Sequence, residues 1–108
     1  MKLKIVKAPR VDAHLSEHYS RIMQDKVAPA ERFLKVAAES FERLAEFPMT
    51  GLVFQTSRKY LAGIRSYPLP SPYRSYIVIY RVEGDSLQIL GVLHGARHLE
   101  RAVDEMFD

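Results

Sequence analysis

Tyr76-Ile77-Val78-Ile79-Tyr80-Arg81-Val82, Glu83-Gly84-Asp85, Ser86-Leu87-Gln88-Ile89-Leu90-Gly91-Val92-Leu93 is the stretch that decides the fold. From Tyr73 to Val82 β-branched and aromatic residues are dense, which favours a pleated strand. At a period of two, Tyr76, Val78, Tyr80 and Val82 face one way and Ile77, Ile79 and Arg81 the other. Glu83-Gly84-Asp85 is the hairpin turn. Leu87 to Leu93 is the next strand, apolar on both faces, and that pattern predicts a central place in a sheet.

Working back towards the N-terminus, Pro68, Pro70 and Pro72 mark a turn that cannot continue a central ladder. Before it, a strand is expected over Ala62 to Tyr67. Phe33, Val36, Ala37, Phe41, Leu44 and Phe47 recur at helical spacing after Pro29, which suits the first turn of a helix; Pro48 and Gly51 end it. An earlier helix is expected from about Val11 to Lys26, on the stripe Val11, Leu15, Tyr19, Ile22 and Met23. The short join between the two makes a helical hairpin. Leu3 and Ile5 alternate with lysines in a short strand before Pro9. Beyond the hairpin, Leu99, Val103 and Met106 or Phe107 stripe a short last helix. The expected fold class is therefore α+β, a two-layer domain: an N-terminal strand, a helical hairpin, a mostly antiparallel β-meander and a short C-terminal helix.

The 108 residues, 47% hydrophobic and 27% charged, suffice for one core, so 1–108 is expected to be a single domain. A domain this small is marginally stable and open to stabilisation by a partner. There is no cysteine, which excludes disulfides, thiolate metal sites and a thiol nucleophile. The first residues, Met1 to Lys7, alternate charge with apolar character and do not resemble a secretory signal. The longest apolar run, Tyr76 to Tyr80, is about a quarter of the roughly 20 residues that span a bilayer. A cytoplasmic protein without membrane contact is the expectation. The net charge is only +3, but from Gly51 to Arg101 seven basic residues (Arg58, Lys59, Arg65, Arg74, Arg81, Arg97, Arg101) face three acidic ones (Glu83, Asp85, Glu100). That half is the expected docking face for an anionic partner, set against ordinary solvated charge.

Three segments carry a resemblance. Leu61-Ala62-Gly63-Ile64-Arg65-Ser66-Tyr67-Pro68-Leu69, Tyr76-Ile77-Val78-Ile79-Tyr80-Arg81-Val82 and Leu87-Gln88-Ile89-Leu90-Gly91-Val92-Leu93-His94-Gly95-Ala96-Arg97 together resemble the second half of ParE-type toxins of the RelE/ParE superfamily. The most distinctive piece is Val92 to Arg97. The resemblance implies the toxin of a bacterial type II toxin–antitoxin system, of the kind that stabilises plasmids. It implies DNA gyrase as the target, a cognate antitoxin as the neutralising partner, and contact with operator DNA only through the antitoxin complex. It implies no cofactor. RelE-like relatives instead cut messenger RNA on the ribosome. Many nucleases of the superfamily carry an Arg three residues before the strand-ending Tyr, where this chain has Ile77, and an aliphatic side chain stabilises no developing charge. Arg65, Arg81 and His94 are the catalytic candidates if the chain is a nuclease. A third reading is a member without toxicity that only binds an antitoxin.

As partner-binding residues we expect Arg65, Arg81, His94, Arg97 and Arg101. Arg65, Arg81 and Arg97 are expected to converge on one sheet face or rim, for bidentate contacts to carboxylate or phosphate, or else to be solvated edge charges. His94, beyond a strand end, is read either as a proton-transfer group or, with more weight, as a structural cap of that strand. His14 and His18 stand at i, i+4 on the first helix, but two ligands without a third do not make a metal site. Tyr60, Tyr67, Tyr73, Tyr76 and Tyr80 interleave with basic residues as base-stacking side chains would, although Tyr76 and Tyr80 suit core positions better. The end of the chain, Leu99 to Asp108, is expected to vary in exposure without dismantling the sheet.

Overall fold

In the computed structural model, which describes residues 2–95 and 98–107, the predicted hairpin is the centre of a five-stranded sheet. The elements are β1 (Lys4–Lys7), α1 (Pro9–Met23), α2 (Val27–Glu46), β2 (Leu52–Val53), a 3-10 turn (Lys59–Leu61), β3 (Arg65–Pro68), β4 (Tyr76–Glu83), β5 (Ser86–His94) and α3 (Leu99–Glu105). The strand order is β1-β5-β4-β3-β2. Only β1 with β5 is parallel, and these two are the first and last strands in the chain; every other pair is antiparallel.

β4 and β5 close through Gly84-Asp85, with Glu83 opposite Ser86. Gly84 has φ +61°, the positive value that a primed two-residue turn needs at its first central position. The pairing has one irregularity. Ile79 faces Gly91 and Tyr80 faces Ile89, so Leu90 is an extra residue on β5.

The two faces of β4 separate as the period of two requires. Tyr76, Val78 and Tyr80 join Val11, Phe33, Ala37, Phe41, Leu44, Leu87, Ile89 and Val92 under the helical hairpin. Ile79 on the other face joins Phe54, Leu61, Ile64, Leu90 and Val103. Leu99 and Met106 of the C-terminal segment pack against this second cluster.

Local boundaries differ from the sequence expectation for identifiable reasons. The first helix begins at Pro9, in the first turn where a proline loses no bond, and ends at Met23 rather than Lys26. The strand expected over Ala62 to Tyr67 begins later, because Gly63 turns the chain at φ +82° after the 3-10 turn. β2 was not foreseen; two residues are too few to show a period. Phe47 leaves the second helix's stripe, being its C-terminal cap and half exposed.

The largest departure is α3. A two-layer domain was expected, yet Val103 is fully buried and α3 lies over the second face of the sheet. The cause is visible in β5, whose apolar residues on both sides require two covers. Val103, with Leu99 and Met106 packed beside it, thus belongs to the second cluster, while Phe107 of the expected stripe stays partly exposed. A chain truncated after His98 should lose about 2 to 4 kcal/mol of stability, from uncovering Leu99, Val103 and Met106. Urea titration checks this; an unchanged midpoint would restore the view that the segment is peripheral.

Candidate functional site

The N-terminal helix is fastened to β5 by three polar side chains on successive turns. β1 accompanies β5 only to Ile89, where Ala8 N–H donates to the Ile89 carbonyl at 2.9 Å. Beyond that point β5 keeps main-chain groups that no strand satisfies. Arg10 Nη1 donates to the carbonyl of Leu90, the bulge residue, at 3.1 Å. Val92 N–H donates to His14 Nδ1 at 3.1 Å, and His18 Nε2 donates to the Val92 carbonyl at 2.7 Å. Two histidines at i, i+4 therefore occupy the lane of a missing strand. His18 completes the buried stripe of α1 between Leu15 and Ile22, its ring edge-on to Phe33 and Tyr76. Its Nδ1 is buried without a partner among the described residues.

This arrangement replaces the metal-site alternative for His14 and His18 with a main-chain role. The described residues bring no three His, Cys, Asp or Glu side chains into a group able to hold a metal ion. Hydrophobic periodicity skipped His18 because it is polar. Its place at i+7 from Val11, on the buried side, was the available signal.

His94 lies next to this seam. Its ring stacks on Tyr76 at 4.3 Å with planes 20° apart, and Arg21 Nη1 donates to its Nδ1 at 3.0 Å. Arg21 also pairs with Glu17 at 3.5 Å. Burial lowers the His94 pKa, helped by the Arg21 guanidinium and then by the neighbouring His18 ring. With Nδ1 occupied by Arg21, the neutral ring carries its proton on Nε2. The residue thus presents a donor and no free base, which matches the structural-cap reading better than proton transfer.

The arginines do not converge. Arg65 stands opposite Tyr80 across β3 and β4 and so shares its face, under the helices. Arg81 is the next residue on β4 and points to the other face, where Nη1 reaches the Tyr60 carbonyl at 3.4 Å and Nε is buried without a partner among the described residues. Arg101 is exposed on α3, 3.8 Å from Glu105. Arg97 lies outside the described residues. The expectation of one shared rim is thus corrected for Arg65 and Arg81, because adjacent pairs along a ladder put their side chains on opposite faces.

Arg65 also has structural work. Its Nη1 donates to the Gly51 carbonyl at 2.7 Å. Buried Tyr80 donates its hydroxyl to the Pro48 carbonyl at 2.7 Å and accepts from Gly51 N–H at 2.8 Å. The loop after α2 is held by these three bonds. A Cβ on Gly51 would sit 2.5 Å from Tyr80 Oη and 2.9 Å from the Ser66 carbonyl, so the position admits only glycine without rearrangement. Tyr80 and Tyr76 are core residues, as is Tyr73, whose hydroxyl donates to the Pro29 carbonyl. Tyr60 remains largely exposed, bonded through its hydroxyl to Asp104 and edge-on to Phe107.

Tyr80→Phe should destabilise by about 1 to 3 kcal/mol, because Gly51 N–H and the Pro48 carbonyl both lose their partner. Chemical denaturation measures this, and a loss below 0.5 kcal/mol, on the order of a surface change, would mean that water replaces the hydroxyl. A second expectation concerns acid. His14 is held below its usual pKa by burial first, then by His18 and Arg10, so the fold favours its neutral form. Its contribution is complete above the unfolded value of about 6.5 and is lost as pH falls through the lower folded value. His94 has the same sign. The melting temperature should therefore drop as pH goes from 7.5 to 5, and His14→Gln should flatten that slope.

Residues 5–99 match the family described as the ParE toxin of the type II toxin–antitoxin system, parDE. No curated protein matches it. Among solved structures it is similar to a chain of the chromosomal ParDE TA system from P. aeruginosa, with a TM-score of 0.69 and 17% identity. That likeness covers 88% of this chain and 98% of the other, and at such low identity it speaks for the fold. The family match spans nearly the whole fold described above, from β1 into α3, and the chain accordingly belongs to the ParE toxin family of type II toxin–antitoxin systems.

Proposed function

We propose that this protein is a toxin that inhibits DNA gyrase, is neutralised by a cognate antitoxin, meets operator DNA only through that complex, and works in the cytoplasm by binding. Family membership supports the toxin role. The observation that most favours binding over catalysis is the separation of Arg65 and Arg81 onto opposite faces of the sheet, with Arg65 already engaged by Gly51. RNA cleavage by attack of a 2′-hydroxyl needs cationic groups converging on one phosphate. Here Arg65, Arg81 and His94 do not converge, and Ile77 sits partly buried against the second cluster. None of the helices is long and apolar enough to cross a membrane.

Arg101, Arg97 and His94 are the partner contacts we favour. Arg101 is exposed, with only the weak surface pairing to Glu105 to give up among the described residues. Arg65 and Arg81 act mainly by holding the Gly51 loop and the 3-10 turn.

Free of antitoxin, the protein should inhibit gyrase supercoiling or trap gyrase-cleaved DNA, and should leave translated messenger RNA intact on ribosomes. Arg101→Glu and Arg97→Glu should weaken inhibition while the melting temperature stays within a few degrees. Site-specific RNA cleavage lost in Arg81→Ala would promote the ribonuclease reading. Gyrase left untouched at stoichiometric excess would promote the non-toxic binding member.

A further inference from the structure

Of the seven basic residues between Gly51 and Arg101, the fold gathers four on the α3 side of the sheet. Arg58 Nη1 lies 3.6 Å from Asp104 Oδ2. Lys59 is the next residue and opens the 3-10 turn. Arg81 Nη1 reaches the carbonyl of Tyr60, inside that turn, at 3.4 Å. Arg101 stands one turn before Asp104 on α3. Arg10 joins them from α1, its guanidinium 5.4 Å over the Phe107 ring.

Two aromatic rings stand among these cations. Tyr60 is 55% exposed and Phe107 38%, and the rings meet edge-on, centroids 6.3 Å apart and planes at 80°. With Arg10 lying over Phe107, Tyr60 is the ring more open to a further planar group. The carboxylates at hand are already engaged: Asp104 takes Arg58 and the Tyr60 hydroxyl, and Glu105 takes Arg101. Lys59 is exposed and has no ion pair among the described residues. Five cations thus outnumber the acidic groups of α3 even with Glu100 counted.

An exposed ring set among cations suits a strand of nucleic acid, whose bases stack on the ring while the cations take the phosphates between them. An acidic peptide would engage the cations and leave the ring unused. In a duplex the base faces are covered by one another, so the ring selects unpaired bases.

We infer that the 3-10 turn and the outer side of α3 form a binding surface for single-stranded DNA, with a base on the Tyr60 ring and phosphates on Arg58, Lys59 and Arg101. Arg81 supports the turn from beneath through the Tyr60 carbonyl, and Arg58 exchanges a weak surface pairing for a phosphate. This rests on the reading of the chain as a toxin that acts on gyrase. Gyrase-cleaved DNA has strand ends whose bases can leave the stack, and a surface that holds such an end keeps the break from closing.

The test uses the full-length chain and a fluorescein-labelled oligo(dT) of about 12 nucleotides, within the span of a small single-strand site. Anisotropy is followed as salt rises. The logarithm of the affinity should fall against that of the salt concentration with a slope of about −2, for three phosphates. Lys59→Glu, at an exposed side chain, should flatten that slope by about 1 and leave the melting temperature unchanged. Tyr60→Phe and Tyr60→Leu both give up the bond to Asp104, so the difference between them reports the ring alone: binding should survive in the first and weaken about tenfold in the second. Equal losses in the two, or affinity indifferent to both Tyr60→Leu and Lys59→Glu, would overturn the inference. Tighter binding to a duplex of the same length, to oligo(U) or to polyglutamate would overturn it as well. No binding at about 50 mM salt, with gyrase-cleaved DNA still trapped, would overturn it and leave the toxin reading standing. Binding to oligo(dT) with gyrase untouched would support the surface and sink the toxin reading.

Discussion

Where β1 ends, β5 still has main-chain donors and acceptors facing a lane with no strand in it, and a buried, unpaired peptide group is expensive. Arg10, His14 and His18 fill that lane from α1. Much of the molecule depends on this substitution of side chains for a strand. It sets how α1 lies on the sheet, and α1 in turn positions α2 and the larger apolar cluster between helices and sheet. The bulge at Leu90 and the close quarters at Gly91 belong to the same device. A Cβ at Gly91 would lie 2.8 Å from Met106 Sδ and 3.0 Å from His14 Cε1, so β5 must be bare where α1 and the end of α3 meet across it.

A domain this small has little apolar area to spend, and this one divides it between two clusters. The larger sits under the hairpin and the smaller under α3. The far side of α3 is joined to the body by Arg58 with Asp104 at 3.6 Å, by Tyr60 with Asp104, and by Arg10 over the Phe107 ring at 5.4 Å. Arg10 thus touches both the β5 bulge and the C-terminal segment. Exposed ion pairs of this sort contribute little individually, so the buried Val103 carries more of the attachment.

The basic residues divide by what they already hold. Arg10, Arg65 and Arg81 reach main-chain carbonyls, and Arg21 holds His94. Among the described residues Arg101 keeps only an exposed pairing within its own helix. A guanidinium committed to a carbonyl at 2.7 Å exchanges one bond for another when a partner arrives, whereas a solvated one gains whatever the partner offers. The excess of positive charge in the second half of the chain is therefore a poorer guide to binding than the list of which cations remain solvated.

The sequence by itself determined the order of the helices and of the longer strands, the β4–β5 hairpin and its turn, the partition of β4 into Tyr76, Val78 and Tyr80 against Ile77 and Ile79, and the central position of β5. All of these follow from local periodicity and turn chemistry, which neighbours in the chain specify. The three segments carrying the ParE resemblance were legible for the same reason, and the family match bears them out. What only the tertiary structure decided are the long-range pairings: His14 and His18 with Val92, Tyr80 and Arg65 with Gly51, α3 over the second face, and Arg65 and Arg81 on opposite sides. Residues 14 and 92, or 51 and 80, are far apart in sequence, and no period or spacing encodes which buried main-chain group lacks a strand partner until the sheet is assembled.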